Sequence, residues 1–460
     1  MPLPDCFALA SADALPLFLI DAVRLPAWKA TQTDATRAWL DALGFRGEPG
    51  SVLVLPGPSG APMAAVAGVG DPHDPASIGH LPHALPPLTF RLAESSPIRV
   101  TPDGALLGWG LGAYRFSRYL KSIKSTAKLV VDTQALAEGS SLLAASLKVR
   151  DLINTPTEHM GPDELEEAVH RMATAHNANF RSVRGADLLT QNFPAIHAVG
   201  RASHRAPRLI ELTHGDAGLP HLVIVGKGVC FDTGGLDVKP ADGMRNMKKD
   251  MGGAAHAIGL ARLVLERRLP VRLSLLVPAV ENALGPDAYR PGEVIATRAG
   301  ISVEIDNTDA EGRVVLCDAL TYAAEQQPAL IMDFATLTGA ARIALGPDLP
   351  ALFANDDGLA QAYLDAGANE RDPLWRMPLW RPYLSYLKSG IADMTNSGAS
   401  RMAGCVTAAL YLERFIPEGQ AWTHVDVYSW NDVDRPGKPA GGEAQGLRAA
   451  WAFLKQRFHE

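Results

Sequence analysis

The stretch Leu222-Val223-Ile224-Val225-Gly226-Lys227-Gly228-Val229-Cys230-Phe231-Asp232-Thr233-Gly234-Gly235 decides the fold. Its first four residues are aliphatic without polar alternation, the signature of a strand buried on both faces, as in parallel sheets. Lys227 and Asp232 then emerge at the carboxyl end of that strand, among glycines that let backbone approach a ligand closely. Downstream, Lys239-Pro240 leads to Met247-Lys248-Lys249-Asp250-Met251-Gly252-Gly253. Apolar residues at Ala254, Ile258, Ala261 and Leu265 follow at helical spacing. An Asp at a helix start is most often a cap, but Asp250 stands in company that asks more of it.

Working outward, strand-like runs recur at 209–212, 222–225, 273–277, 303–305, 330–334 and 424–427, several of them followed by helical spacing. Strand alternating with helix implies a mixed, largely parallel sheet with helices on both faces, whose ligands gather at the carboxyl ends of strands. The first third differs. Prolines punctuate it (Pro49, Pro56, Pro58, Pro62, Pro72, Pro75), short strand-like runs lie at 51–55 and 63–67, and a helical piece spans 105–120. A smaller α/β domain over 1–132 is expected, then a helical connector over 133–150 and a catalytic domain over 151–460.

The second chemical stretch is Asn307-Thr308-Asp309-Ala310-Glu311-Gly312-Arg313. Carboxylates two apart in extended chain point to one side, where a single hard cation can take both. The guanidinium two residues on matches the oxygen pair of a bound carboxylate or carbonate. Alone, the run reads equally as a solvated turn. Together with Lys227, Asp232 and Asp250 it reads as a metal centre, since Asp, Glu and a neutral Lys suit Mn²⁺, Mg²⁺ or Zn²⁺.

These two stretches resemble the signature of the leucyl, or cytosol, aminopeptidases, a family of two-metal exopeptidases. The likeness runs from Leu152-Ile153-Asn154-Thr155-Pro156 to the C-terminus and includes Ala335-Thr336-Leu337-Thr338-Gly339-Ala340. The resemblance implies one metal on Asp232, Asp309 and Glu311 and another on Lys227, Asp232, Asp250 and Glu311. It implies that Lys239 steadies the oxyanion and that Arg313 holds a bicarbonate acting as general base. For Lys239 the plainer alternative is a surface lysine before a turn proline. A water activated by the two metals would attack the first peptide bond of a chain with a free N-terminus. The resemblance further implies a side-chain pocket at Met247, Asn307, Thr336 and Gly339, and a homohexamer. One departure stands out: the chain reads Tyr428-Ser429-Trp430-Asn431 where many members carry small residues.

Composition fits an enzyme of this kind. The chain has 460 residues and a net charge of −7, which argues against a basic nucleic-acid footprint spread over the whole surface. No apolar run reaches the length of a membrane span. Met1-Pro2-Leu3-Pro4-Asp5 lacks the basic start of a secretory signal. Cys6, Cys230, Cys317 and Cys405 form no Cys-x-x-Cys pair, so reduced thiols and a cytoplasmic location are expected. The zinc helix His-Glu-x-x-His, the nucleophile elbow Gly-x-Ser-x-Gly and the phosphate loop are absent. Two other classes compete: a DNA-binding regulator, as some family members are, and a two-metal phosphoesterase. Salt-sensitive binding of duplex DNA would mark the first, and cleavage of a phosphate ester the second.

Overall fold

The computed structural model describes residues 4–9, 11–122, 124–131, 137–398 and 400–459. Residues 133–136, where the connector was expected to begin, and Met1 to Leu3 lie outside them. The chain divides into two compact units, Met1–Leu147 with Asn431–Ala440, and Lys148–Trp430 with Gly441–Glu460.

The first unit is built on a six-stranded sheet of β1 (Phe7–Ala8), β2 (Leu15–Ile20), β3 (Val52–Pro56), β4 (Pro62–Gly68), β5 (Thr89–Leu92) and β6 (Lys128–Val130), in the order β1-β6-β5-β2-β4-β3. β2 runs parallel to β4 and β5, while β3 closes one edge antiparallel. Leu17, Ala65, Val66 and Phe90 are fully buried. The helix expected over 105–120 occupies Pro102–Ala113 instead. Thr101 caps it through Gly104 N, proline opens it, and the extended backbone of Tyr114 ends it. The glycine- and proline-rich segment Asn431–Ala440, which the sequence groups with the C-terminal domain, clusters in this unit because Gly437 backbone packs directly on Gly79.

The second unit carries a nine-stranded sheet. Its strands are β7 (Asn179–Arg184), β8 (Arg208–His214), β9 (His221–Gly226), β10 (Gly228–Asp232), β11 (Arg272–Asn282), β14 (Leu330–Ala335), β15 (Ala351–Ala354), β16 (Trp375–Arg376) and β18 (Trp422–Asp426). The order is β16-β15-β18-β14-β9-β11-β8-β7, with β10 also paired to β11. The centre, β11, β9, β14 and β18, is parallel, and β8 and β15 flank it antiparallel. Val223 and Val225 pack with Val314, Val315, Ala319 and Ala323 of the helix Glu311–Glu325. The helix Gly252–Glu266 also packs on β9 and β14 and is buried along most of its length. Its glycine start is a steric need, since a Cβ at Gly253 would strike Phe334 backbone.

The run 303–305 does not join this sheet. It supplies β13 (Val303–Glu304) to a separate three-stranded sheet with β12 (Val294–Ile295) and β17 (Met394–Thr395). The chain turns away after Glu304 because Asn396 Oδ1 accepts Asp306 N and Asn307 N.

Candidate active site

The ends of β9, β10 and β14 bring the proposed ligands together. Lys227 follows β9, donates its backbone N–H to Phe334 O, and is buried. Its Nζ lies 2.7 Å from Asp250 Oδ2 and 2.9 Å from Glu311 Oε1, and donates to Thr336 O at 2.8 Å. Gly312 leaves room for this lysine, whose stem would collide with any Cβ there. Asp232 ends β10; its Oδ1 accepts Gly234 N and Asn282 Nδ2, both at 2.8 Å, and its Oδ2 lies 2.8 Å from Lys239 Nζ. Lys239 also pairs with Asp309. Asp232, Asp309 and Glu311 each offer an oxygen within 4.8 Å of the others.

Two local readings of the sequence are corrected by this geometry. Asp309 and Glu311 do not meet as neighbours on extended chain. Asp309 sits in a turn in which its N–H bonds Asn307 Oδ1, and Glu311 is the first residue of the helix Glu311–Glu325. The bend, not strand parity, brings their oxygens together. Asp250, likewise, does not open the helix Gly252–Glu266. It lies in the 3₁₀ turn Met247–Met251, and its carboxylate faces Lys227.

Four acidic side chains share this space with the ammonium groups of Lys227 and Lys239, and the titration of Asp309, Glu311 and Asp250 reflects the crowding. Burial and Asp232 push Asp309 up to about 6 against the pull of Lys239. Burial and the same Asp232 raise Glu311 well above its ordinary range. Burial also raises Asp250, although Lys227 opposes it. Burial works to lower Lys227, but Asp250, Glu311 and Asp232 outweigh it and hold the lysine charged. Burial lowers Lys249, next to Asp250, to about 8. Hard oxygen donors, surplus negative charge and an amine among them are a donor set that suits divalent cations.

Arg313 Nη1 donates to Asn396 O at 2.8 Å, while Nε is buried without a hydrogen-bond partner. A guanidinium so placed has capacity left for an anion. Thr336 touches the centre twice, its carbonyl accepting from Lys227 and its hydroxyl donating to Asp250 O. Asn307 is held by Asn396, whose Nδ2 donates to Asn307 O. Met247 opens the turn that carries Asp250, and Gly339 begins the helix Gly339–Leu345 with open space where its side chain would be. The Tyr428 ring has Lys249 Nζ and the Arg342 guanidinium each 4.7 Å from its centre.

Several supporting residues escaped the sequence reading. Asn282, at the end of β11, bonds both Asp232 and Thr308 O. Tyr289 OH also donates to Thr308 O, and Asp237 accepts Thr308 N. Only strand length carried a signal: an 11-residue β11 delivers its last residue to the same end as Asp232.

Comparison with known proteins points to one family. The model for the catalytic domain of the cytosol aminopeptidase family matches residues 148–450, and the model for the N-terminal domain of M17 aminopeptidases matches residues 15–132. A probable cytosol aminopeptidase of Roseiflexus castenholzii is 38% identical over 390 residues, covering 81% of this chain and 78% of the relative. One from Stenotrophomonas maltophilia is 37% identical over 422 residues, covering 86% and 85%. The crystal structure of a cytosol aminopeptidase from Coxiella burnetii superposes with a TM-score of 0.95 at 49% identity, covering 99% of this chain and 100% of that one. The bottromycin maturation enzyme BotP in complex with Mn superposes with a TM-score of 0.85 at 31% identity, covering 97% and 100%.

Proposed function

The chain belongs to the cytosol aminopeptidase family, and from that premise we propose that Lys227, Asp232, Asp250, Asp309 and Glu311 hold two divalent cations. The family's activity, metal-dependent release of N-terminal amino acids from peptides, is this chain's activity. One observation supports the ligand set most: four acids, three of them buried, crowd around the Lys227 and Lys239 ammonium groups, and three of the acids place oxygens within 4.8 Å of one another. Asp232, Asp309 and Glu311 would take one cation, and Lys227, Asp232, Asp250 and Glu311 the other. Mn²⁺ or Zn²⁺ would serve, with Mg²⁺ a candidate in one position. When bound, such a pair lowers the pKa of an attacking water and polarises the peptide carbonyl.

The residues then divide the remaining work. Lys227 would have to release its proton to solvent to serve as a ligand, since only the neutral amine has a lone pair to give. Lys239 Nζ, held at the rim between Asp232 and Asp309, would donate to the oxyanion as it develops. Arg313 would orient a bicarbonate so that one of its oxygens receives the water's proton. Met247, Asn307, Thr336 and Gly339 would surround the first side chain of the peptide. By the same family reading we place the enzyme in the cytoplasm as a homohexamer. Among the described residues, no helix is long and apolar enough to cross a membrane.

The test is end specificity under metal control. Chelation should abolish hydrolysis of aminoacyl anilides and Mn²⁺ or Zn²⁺ should restore it, whereas acetylating the substrate's amine should stop cleavage. Equal rates on blocked and free peptides would show that the amine is not what the centre recognises.

A further inference from the structure

A positively charged corner adjoins the carboxylate centre. Its contiguity is set by close packing: a Cβ at Gly252 would collide with both Ser429 and Thr336, so the segment carrying Tyr428 and Ser429 presses on the residue whose carbonyl binds Lys227. Lys249 lies here, one residue before Asp250, and is only 7% exposed. No acceptor among the described residues hydrogen-bonds its ammonium, whose near neighbour is the face of half-buried Tyr428. The adjacent acids are occupied elsewhere. Asp250 faces Lys227. Asp426 accepts Leu337 N, Thr338 N and the Thr338 hydroxyl.

A second cation closes the corner. Arg342 stands three residues after Gly339 in the helix Gly339–Leu345, so the two share one helix face. Nothing lies within 4 Å of the Gly339 Cβ position, and this open space is therefore overlooked by the Arg342 guanidinium, itself stacked on Tyr428. Both cations thus meet at one ring, that of Tyr428, and the Arg342 guanidinium stands one helical turn from the open Gly339 position.

We propose that Lys249 and Arg342, braced on Tyr428, make the side-chain subsite select acidic N-terminal residues and reject basic ones. This rests on the aminopeptidase reading and gives it a substrate class. A buried unpaired ammonium attracts a carboxylate strongly because little water screens it, and the same charge excludes a lysine or arginine side chain by repulsion. Tyr428 acts as the brace: its ring face offers each cation partial neutralisation.

The experiment compares kcat/KM for α-glutamyl, glutaminyl, leucyl and lysyl anilides on Mn²⁺-loaded enzyme, with each rate normalised to leucyl. The parent should prefer glutamyl over glutaminyl and over lysyl. Lys249→Met and Arg342→Gln should each cut the glutamyl-to-lysyl ratio by about tenfold, the scale of one unit charge a few ångströms away in a partly screened site. Arg342→Glu should move it further in the same direction. Arg342 is exposed, so its variants keep the test valid even if Lys249→Met fails to fold. A ratio unchanged in the Arg342 variants, with leucyl hydrolysis intact in the parent, overturns the charge assignment alone. Absence of any aminoacyl hydrolysis in the loaded parent overturns the aminopeptidase reading and this inference with it.

Discussion

Two buried charge clusters sit in the same sheet, and only one of them carries surplus charge of one sign. At the centre, Asp333 on β14 and His424 on β18 lie opposite each other in register, both fully buried. Asp333 Oδ1 meets His424 Nδ1 at 2.5 Å, and its Oδ2 accepts Trp422 Nε1 at 2.7 Å. Burial works to lower the His424 pKa, but Asp333 overrides it and the imidazole ends above its ordinary value. One acid and one base close on each other, flanked by stacked Phe353 and Trp422. At the strand ends, four acids crowd around Lys227 and Lys239, and the carboxyl pKa values of Asp250, Asp309 and Glu311 rise. Burial of charge is thus no mark of function. Surplus charge of one sign is.

The most direct way to break that comparison is to remove surplus charge. Asp232→Ala and Glu311→Ala should abolish anilide hydrolysis and reduce bound metal below two equivalents, measured by elemental analysis after dialysis. Each removes a carboxylate proposed to serve both cation positions. Glu311→Gln should, in addition, raise the melting temperature of chelated protein while lowering that of metal-loaded protein. A loss of stability in both states would place Glu311 with Asp333, as a structural charge.

The balanced cluster should behave oppositely. Asp333→Ala leaves a buried imidazole without its carboxylate and should cost about 3–5 kcal/mol of folding stability, the usual penalty for breaking a buried pair. Urea denaturation would measure it. The folded variant should still bind two metal equivalents, and loss of metal would join the two clusters into one.

The same contrast governs how much could be read from sequence. The run 222–225 announced a buried parallel strand because burial on both faces demands unbroken apolar residues. Glycine-rich punctuation around Lys227 and Asp232 announced the ligand end. Partners set by tertiary approach were silent. Asn282 is one polar residue closing a long strand, and Asn396 reaches Asn307 and Arg313 from beyond β17. Asp309 and Glu311 were identified for a reason that proved wrong, because a two-residue offset is shared by a strand and by a turn entering a helix. The two-residue strands β12, β13 and β17 hold too few residues to show any periodicity.

Lys239→Ala sharpens the distinction between holding charge and using it. The variant should fold, keep two metal equivalents and lose about 2.7–4 kcal/mol of transition-state stabilisation, the scale for one oxyanion donor. Loss of a metal, or near-parent turnover, would remove Lys239 from the chemistry.

Acidity offers a milder perturbation. Asp309 rises to about 6 from 3.8. A carboxyl raised on folding favours the folded metal-free protein fully below about pH 3.8, and that contribution is lost as pH climbs through 6. Metal binding needs the ionised form, so it gains across the same window. The difference in melting temperature between loaded and chelated protein should therefore grow from pH 4 to pH 7, with its steepest change near 6. A flat difference would mean that Asp309 is not a ligand.

The smallest expected effect falls on Arg313, and it tests whether unused hydrogen-bonding capacity signals a ligand as surplus charge does. The guanidinium is buried and donates Nη1 to Asn396 O, but its Nε has no partner. A buried donor left unmade is costly, so an anion that accepts from it would be bound firmly. General base catalysis is worth about 10²–10⁴-fold, yet water or buffer can accept the proton in the anion's place. Arg313→Ala should therefore lose less than Lys239→Ala while retaining both metals and its fold. Added bicarbonate should accelerate the parent more than the variant at constant pH and ionic strength. Equal stimulation of both proteins would detach the anion from Arg313 and leave that buried donor as a purely structural contact with Asn396.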